Sequence, residues 1–365
     1  MATEFTCDIN NIIKKGRDGT LITHGKLGSR DIAVKIMELR HVRLAENEIE
    51  ILEARDSYPK VVRYFGVRRD NRHIYLALEL CTGNLEDYLR TEHRTVMTPL
   101  KVCTEIALGL KYLHDLRIVH RNLKPSNILF LAVSDDEIII KISDYSISKT
   151  MEDTDSFTSS MTVGSTSWAA PELLSTGQRK TIKADIFSLG RLYFYILTDG
   201  QLLSQSPAHL GAIQSGTQKQ LISSMVSNKP EERPVTSDIL AHPAFWDGER
   251  SVTFIQALSN TAPRSFAFET YKNQAFGDSW ASALDPTLVR RLSQRRGYNS
   301  NSMQDLVRFI RNLSHHRAEY DDFNHILGQT NESFMAYFNG RLPNFLYYAW
   351  LTGKQSQDQQ LSEFY

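Results

Sequence analysis

Cysteine is scarce in this sequence. Cys7, Cys81 and Cys103, three among 365 residues, are too few and too scattered for a disulfide framework or a zinc site. They fit a reducing compartment such as the cytoplasm. No apolar run reaches 18 residues, so no segment of this chain reads as a membrane-spanning helix. The polar stretch after Met1 lacks the apolar core of a signal peptide. A membrane anchor or sensor domain outside the chain stays open. An excess of either charge is also missing, because 42 Lys and Arg balance 42 Asp and Glu. Any contact with nucleic acid must then come from a local basic patch. Internal repeats and low-complexity tracts are absent. What remains is 41% hydrophobic and 23% charged, which suits folded domains, and the length leaves room for two.

Residues 5–80 alternate short β-like runs with one helical stretch. Residues 31–37 and 74–80 read as strands, and 46–54 as a helix. From Asn84 the pattern turns helical, with apolar residues at helical spacing through 100–116. Residues 118–144 are β-rich and broken by Pro125 and Asp135-Asp136. The Ser/Thr-dense segment 145–168 reads as an exposed, mobile loop. Helical patterns then run to Trp246. The polar stretch 259–279 reads as a separator, 280–352 as helical, and 353–365 as a frayed tail. Aromatic crowding near the C-terminus (Phe334, Tyr337, Phe338, Phe345, Tyr347, Tyr348, Trp350) predicts a helical core.

Binding of phosphate by backbone amides needs glycine, because only a residue without Cβ lets the chain close on the oxygens. Lys14-Lys15-Gly16-Arg17-Asp18-Gly19-Thr20 has two of the three glycines of G-x-G-x-x-G, Gly16 and Gly19, and an ordinary hairpin fits the same residues. Lys35 follows inside an apolar strand, where a bare charge is costly, and Glu48 on the next predicted helix is its obvious partner. Further on stand His120-Arg121-Asn122-Leu123-Lys124-Pro125-Ser126-Asn127, Asp144-Tyr145-Ser146 and Ala170-Pro171-Glu172. These closely resemble the catalytic loop, the metal-binding segment and the end of the activation loop of protein kinases, and Asp185 and Arg233 match their buried polar ties. The resemblance covers residues 8–246. It implies an adenine nucleotide, ATP or ADP, received at a hinge of Glu79–Cys81. It implies that Lys35 pairs with Glu48 and holds the phosphates, with Lys124 intact in the catalytic loop. Asn127 and Asp144 would ligate Mg²⁺.

One departure matters. Asn122 stands where kinases have the aspartate that accepts the substrate hydroxyl proton. An amide has no useful basicity, and losing such a base costs about 10²- to 10⁴-fold in rate. Ser146 and Lys14 also replace glycines of the pattern. The domain therefore reads as a nucleotide-binding pseudokinase or a very poor kinase. Natural divergence and an engineered kinase-dead change both fit Asn122.

Farther along, Met303, Leu306, Val307, Ile310 and Leu313 fall on one helical face, with Asp305, Arg308, Arg311 and Asn312 on the other. Arg311 and Asn312 are thereby expected at a solvent-facing helix end. His316, four residues past Asn312, shares a face with it if the helix continues. Cleavage of RNA through the 2′-hydroxyl needs a base, an acid and a cation for the phosphorane, and Tyr298, His316 and Arg311 supply that set without a metal. A surface His, a packing Tyr and a solvated Arg run (Arg290, Arg291, Arg295, Arg296, Arg308, Arg311) are the ordinary alternatives.

The pairing of a kinase-like domain ending in His242-Pro243-Ala244-Phe245-Trp246 with this helix resembles the kinase-extension nuclease family, that of inositol-requiring enzyme 1, the unfolded-protein-response sensor, and ribonuclease L. That resemblance implies an α+β chain, a bilobal protein-kinase fold followed by an all-α nuclease domain, with lobes at 1–82 and 83–248 and the nuclease at 249–365. It implies catalytic Tyr298, Arg311, Asn312 and His316, with Asp305 matching an aspartate of ribonuclease L and Trp280 a family tryptophan. His315 is the neighbour, not the matched residue. It further implies an RNA substrate, a 2′,3′-cyclic phosphate product and a back-to-back homodimer, with higher oligomers open. The expected location is the cytoplasm, or the cytosolic part of an endoplasmic-reticulum membrane protein. Both stem-loop cutting and loose cutting of single-stranded uridine-rich RNA fit. A plain Ser/Thr kinase with a helical extension and a catalytically dead scaffold are the rivals. Asn122 argues against the first, and Arg311 with His316 against the second.

Overall fold

The computed structural model describes residues 4–16, 19–38, 58–144, 149–150, 167–174, 181–204, 207–261, 267–356 and 358–365. The predicted helix at 46–54 and almost all of the Ser/Thr-dense segment lie outside them. The chain divides into two compact units: Met1–His209 with Ser224–Ser237, and Leu210–Ser223 with Asp238–Tyr365.

The first unit opens with strands β1 (Thr6–Lys15), β2 (Leu21–Leu27), β3 (Arg30–Glu38), β4 (Tyr64–Arg69) and β5 (His73–Glu79). They form an antiparallel sheet in the order β1-β2-β3-β5-β4. The β-branched alternation of β3 explains its central place. Ile32, Val34 and Ile36 pack with Phe5 and Ala77 on one face, and Met37 joins Ile74 and Leu76 on the other. Lys35 pairs with Ile22 and Leu76 in register, so a predicted apolar strand carries one buried lysine.

Helix α1 (Leu85–Arg90) starts at a capping box of Asn84 and Asp87, and α2 (Pro99–Asp115) at Thr98, whose hydroxyl accepts from the Lys101 amide. α2 buries Val102, Cys103, Ile106, Leu110 and Leu113 and packs on α3 (Ile182–Leu197). The β-rich stretch is a hairpin of Ile128–Ser134 and Glu137–Ile142, turning at Asp135-Asp136 as expected. Two buried polar centres hold this lobe. The Asp185 carboxylate accepts from the His120 and Arg121 amides, at 2.8 and 2.7 Å, and lies 3.0 Å from His114 Nε2. The Arg233 guanidinium grips Glu172 through two bonds of 2.5 and 2.9 Å.

The second unit is helical: α4 (Gly248–Asn260), α5 (Pro286–Arg295), α6 (Met303–His315), α7 (Asn331–Arg341) and α8 (Phe345–Ser356). The aromatic crowding forms its core, where Phe334, Phe338, Phe345 and Trp350 join Trp280, Phe309 and Phe254. Gly248 is required at the start of α4, since a Cβ there would meet the Glu332 amide at 2.3 Å.

Two expectations fail here. Residues 259–279 are no mere separator: short helices at Ala267–Thr270 and Lys272–Phe276 bury Phe268 and Ala275 in the core. Polar composition concealed two well-spaced apolar anchors. The tail is not frayed either. Leu361 and Phe364 are buried, the Trp350 indole donates to the Phe364 carbonyl (3.1 Å), and the Tyr365 hydroxyl donates to the Trp350 carbonyl (3.0 Å). Among the described residues, no helix is long and apolar enough to cross a membrane.

Candidate active site

In the second unit the site is built on α6. Ser302 caps its N-terminus, its hydroxyl accepting from the Asp305 amide at 3.3 Å. The loop before it is pinned by Trp280, a fully buried side chain whose indole N–H is shared between the Asn299 and Ser302 carbonyls, 3.2 and 3.1 Å away. Asp305 anchors the same loop: Oδ2 accepts from the Asn299 amide at 2.7 Å and Oδ1 from Arg308 at 2.5 Å. The Arg308 guanidinium in turn covers the Tyr298 ring, which packs edge-on against Phe309. The contacts of Asp305 thus run to the backbone and the arginine that hold the Tyr298 loop.

Tyr298 is thereby delivered to Asn312, whose amide nitrogen donates to the phenol oxygen at 2.8 Å. The Asn312 side-chain oxygen Oδ1 accepts from Arg311 at 2.9 Å, and the other Arg311 amino group donates to Asn260 Oδ1 at 3.3 Å. Arg311 Nε is buried with no hydrogen-bond partner. Asn312 departs from the expected solvent-facing placement and is only 7% exposed. It sits at the edge of the apolar stripe, where the Tyr298 loop folds over it.

His316 follows the last helical residue and caps it, its amide donating to the Asn312 carbonyl at 3.1 Å. The predicted continuation of the helix stops one residue short, but this bond keeps His316 one turn above Asn312. Its imidazole is exposed, with Nδ1 2.8 Å from Glu319 Oε1. That bond fixes Nδ1 on the carboxylate and leaves Nε2 as the nitrogen that can face a substrate. His315 is exposed as well. Two residues that sequence reasoning missed belong here. Glu319 was signalled only by its three-residue spacing from His316. Asn260 ends a different helix and carried no signal at all. Among the described residues, no three His, Cys, Asp or Glu side chains come together as a metal site.

In the first unit, Lys35 Nζ donates to Asp144 Oδ1 at 3.0 Å, and the Asn122 amide donates to Asp144 Oδ2 at 3.2 Å. Asn127 Nδ2 donates to the Asn122 carbonyl at 2.9 Å, and the Asn127 amide to the Lys124 carbonyl at 3.0 Å. Arg121 and Asp144 both have positive φ, 65° and 67°, a conformation that costs energy in non-glycine residues and collects at functional sites. Burial holds the His120 imidazole below its ordinary pKa. Asn127 and Asp144 can supply oxygen ligands to Mg²⁺ beside nucleotide phosphates, a donor set that fits the ion. In this arrangement the Asn122 amide already occupies one Asp144 oxygen.

Gly19 has φ 75° in the turn between β1 and β2, and the Gly16 amide donates to the Thr20 carbonyl at 2.7 Å, which closes the hairpin. At the expected hinge, Glu79 is engaged by Lys141 at 3.0 Å and by the Arg63 amide at 3.1 Å. Burial pushes the Cys81 thiol up to about 12, so it behaves as an inert, neutral group. Glu48, Tyr145 and Ser146 lie outside the described residues.

A kinase fold with its polar ties intact, joined to a helical unit bearing a Tyr, Asn, Arg and His cluster, defines a two-domain kinase and nuclease class. The comparisons agree. Residues 10–245 match the protein kinase domain family and residues 255–365 the ribonuclease 2-5A family. The serine/threonine-protein kinase/endoribonuclease IRE1 of Oryza sativa subsp. japonica is 33% identical over 93% of this chain and 42% of its own length. IRE2 of Homo sapiens is 30% identical over 92% and 40%, and ire-1 of Caenorhabditis elegans is 31% identical over 92% and 38%. The chain belongs to the protein kinase family and to its branch that joins a kinase domain to a ribonuclease domain. It spans about two-fifths of the length of these relatives.

Proposed function

We propose that the chain is a metal-independent endoribonuclease under the control of a nucleotide-binding, kinase-like unit. The observation that carries this reading is the hydrogen-bonded run from Tyr298 through Asn312 to Arg311, with His316 held one helical turn above it. Tyr298 accepts its bond from Asn312, and its oxygen takes the proton of a ribose 2′-hydroxyl while its own O–H proton passes to solvent. Deprotonated, that hydroxyl attacks the adjacent phosphorus. Arg311 and Asn312 would hold the phosphate oxygens, and the guanidinium charge of Arg311 answers the negative charge that builds on them. His316 gives its proton to the 5′-oxygen as the P–O bond breaks, leaving a 2′,3′-cyclic phosphate and a 5′-hydroxyl.

The kinase-like unit would take ATP or ADP against Lys35 and the Gly16–Gly19 hairpin. A bound Mg²⁺ would be held by Asn127 and Asp144 and would add positive charge beside the phosphates. Phosphotransfer is absent or very slow, because Asn122 cannot accept a proton. We place the nuclease domain at 249–365, behind lobes at 1–82 and 83–248. The two family matches, which end at residue 245 and begin at residue 255, support that boundary. A homodimer with a composite RNA surface fits the balanced charge. Signalling in the unfolded-protein response, from the cytosolic side of the endoplasmic reticulum, fits the family.

The test is incubation with a defined RNA in excess EDTA, with and without ADP, followed by mapping of the product ends. Products with 2′,3′-cyclic phosphate support the proposal. Intact RNA under conditions where the protein is dimeric would refute it.

A further inference from the structure

His316 stands at a break between two turns of helix. Its amide closes the end of α6 on the Asn312 carbonyl, and its carbonyl accepts from the Glu319 amide at 2.9 Å to open the turn Arg317–Phe323. It belongs to both turns and to the interior of neither. No side chain caps the second turn at its start. Helix ends fray where other groups do not hold them, and an imidazole moves with the backbone that carries it. Glu319 orients the ring through Nδ1, but Glu319 lies on the same short turn and shifts with it.

Arg317, the next residue, is tied outside that turn. Its guanidinium lies over the Phe334 ring, 4.4 Å from the centroid, and Phe334 is fully buried. One amino group donates to the Gln329 carbonyl at 3.3 Å and the other to Asn331 Oδ1 at 3.1 Å. These partners form the first turn of α7 and the loop before it, and none of them is a residue of the cleavage site. That end of α7 is itself fixed. Thr330 and Ser333 make a capping box, the Asn331 side-chain amide donates to Glu249 Oε2, and Glu332 accepts from the Gly248 amide at 2.6 Å. A planar guanidinium seated on a buried ring with two directed bonds fixes both position and orientation.

We infer that Arg317 is a positioning residue for His316, fastening the junction after α6 to α7 so that Nε2 meets the leaving 5′-oxygen. The inference rests on the reading of His316 as the general acid. Displacing a reacting group by about 1 Å costs up to about 10²-fold in rate. A role confined to fold stability slows every substrate alike. A role through the general acid slows only a substrate whose leaving group needs a proton.

The experiment compares two oligoribonucleotides of one sequence. One has the ordinary linkage at the cleaved site, and the other has sulfur in place of the bridging 5′-oxygen. In both, the 2′-oxygen attacks phosphorus and a 2′,3′-cyclic phosphate forms. The breaking P–O bond takes a proton on oxygen, whereas the breaking P–S bond releases a thiolate that needs none. His316→Ala should slow the oxygen substrate by about 10²-fold or more and the sulfur substrate by less than about threefold. Arg317→Ala should lower kcat on the oxygen substrate about tenfold or more, keep KM within about threefold, and spare the sulfur substrate. Should Arg317→Ala not fold, Arg317→Met keeps the stem on Phe334, removes the donors and gives the same contrast. Equal losses on both substrates, or no loss on either, overturn the inference and leave the general acid standing. A His316→Ala defect that sulfur does not relieve overturns both.

Discussion

The phenol oxygen of Tyr298 accepts a hydrogen bond from the side-chain amide of Asn312 at 2.8 Å, across fourteen positions of sequence. The bond joins a loop to the buried edge of α6. It turns two unremarkable polar residues into one unit, with Arg311 attached to the other end of the amide. Asn312→Ala should therefore remove a phosphate contact and release Tyr298 together. We expect cleavage to fall by about 10²-fold or more, and Asn312→Ala combined with Tyr298→Phe to cost much less than the product of the single effects. Independent, multiplicative losses in that double-mutant cycle would show that the two side chains do not act together.

His316→Ala should lower cleavage by about 10²-fold or more, the usual worth of a general acid. His315→Ala should be milder. Glu319→Gln should keep the fold and lower cleavage less than His316→Ala does, because it weakens the contact that orients the imidazole through Nδ1 at 2.8 Å. If His315→Ala proves the more damaging of the two histidine changes, the catalytic register is off by one residue.

Asn122→Asp tests the base argument. Autophosphorylation with labelled ATP should be negligible in the wild-type chain and should appear to some extent in the variant if the rest of the machinery is intact. Rapid wild-type transfer would contradict the reading of Asn122. Asp144→Ala should weaken ADP binding, since it unseats Lys35, and unchanged affinity would sink that assignment.

Acid should loosen the nuclease unit through His242. This side chain is buried against Tyr347 and Trp350, and its Nδ1 accepts from the Ala244 amide at 3.0 Å. Burial pushes its pKa down from 6.5 to about 3. Between those values the unfolded chain binds a proton that the folded chain does not, so stability falls as pH drops below about 6.5, by at most roughly 1.4 kcal/mol per unit. His242→Asn keeps an acceptor for the amide without a titrating ring and should flatten the melting temperature between pH 7 and 5. Parallel wild-type and variant curves would rule this out.

Phe364→Ala should destabilise the nuclease unit by about 3 to 5 kcal/mol, as for a buried aromatic. The ring lies among Trp246 and Phe254 and is only 2% exposed. An unchanged melting temperature would mean that the tail does not dock.

Much was readable along the chain because local chemistry demanded it. The strand at β3 and the helix at α6 follow from the spacing of apolar residues, and a backbone period needs no partner to be recognised. The kinase landmarks follow from motifs whose residues are close in sequence, such as His120 to Asn127. Tyr298, Arg311, Asn312 and His316 were identified by resemblance, and folding put them on one helix end and the loop before it. Other features depended on three-dimensional packing. Asn260 reaches Arg311 from another helix, and an asparagine at a helix terminus has the same sequence signature whether it caps or binds. Asn312 is buried because an aromatic shelf of Trp280, Phe309 and Tyr298 closes over the polar edge of its helix. The tail is ordered because two apolar side chains, Leu361 and Phe364, find a core that polar neighbours such as Gln359 and Gln360 do not announce. Hydrophobic burial and hydrogen bonding between distant segments depend on which surfaces meet, and that is a property of the folded chain rather than of any window within it.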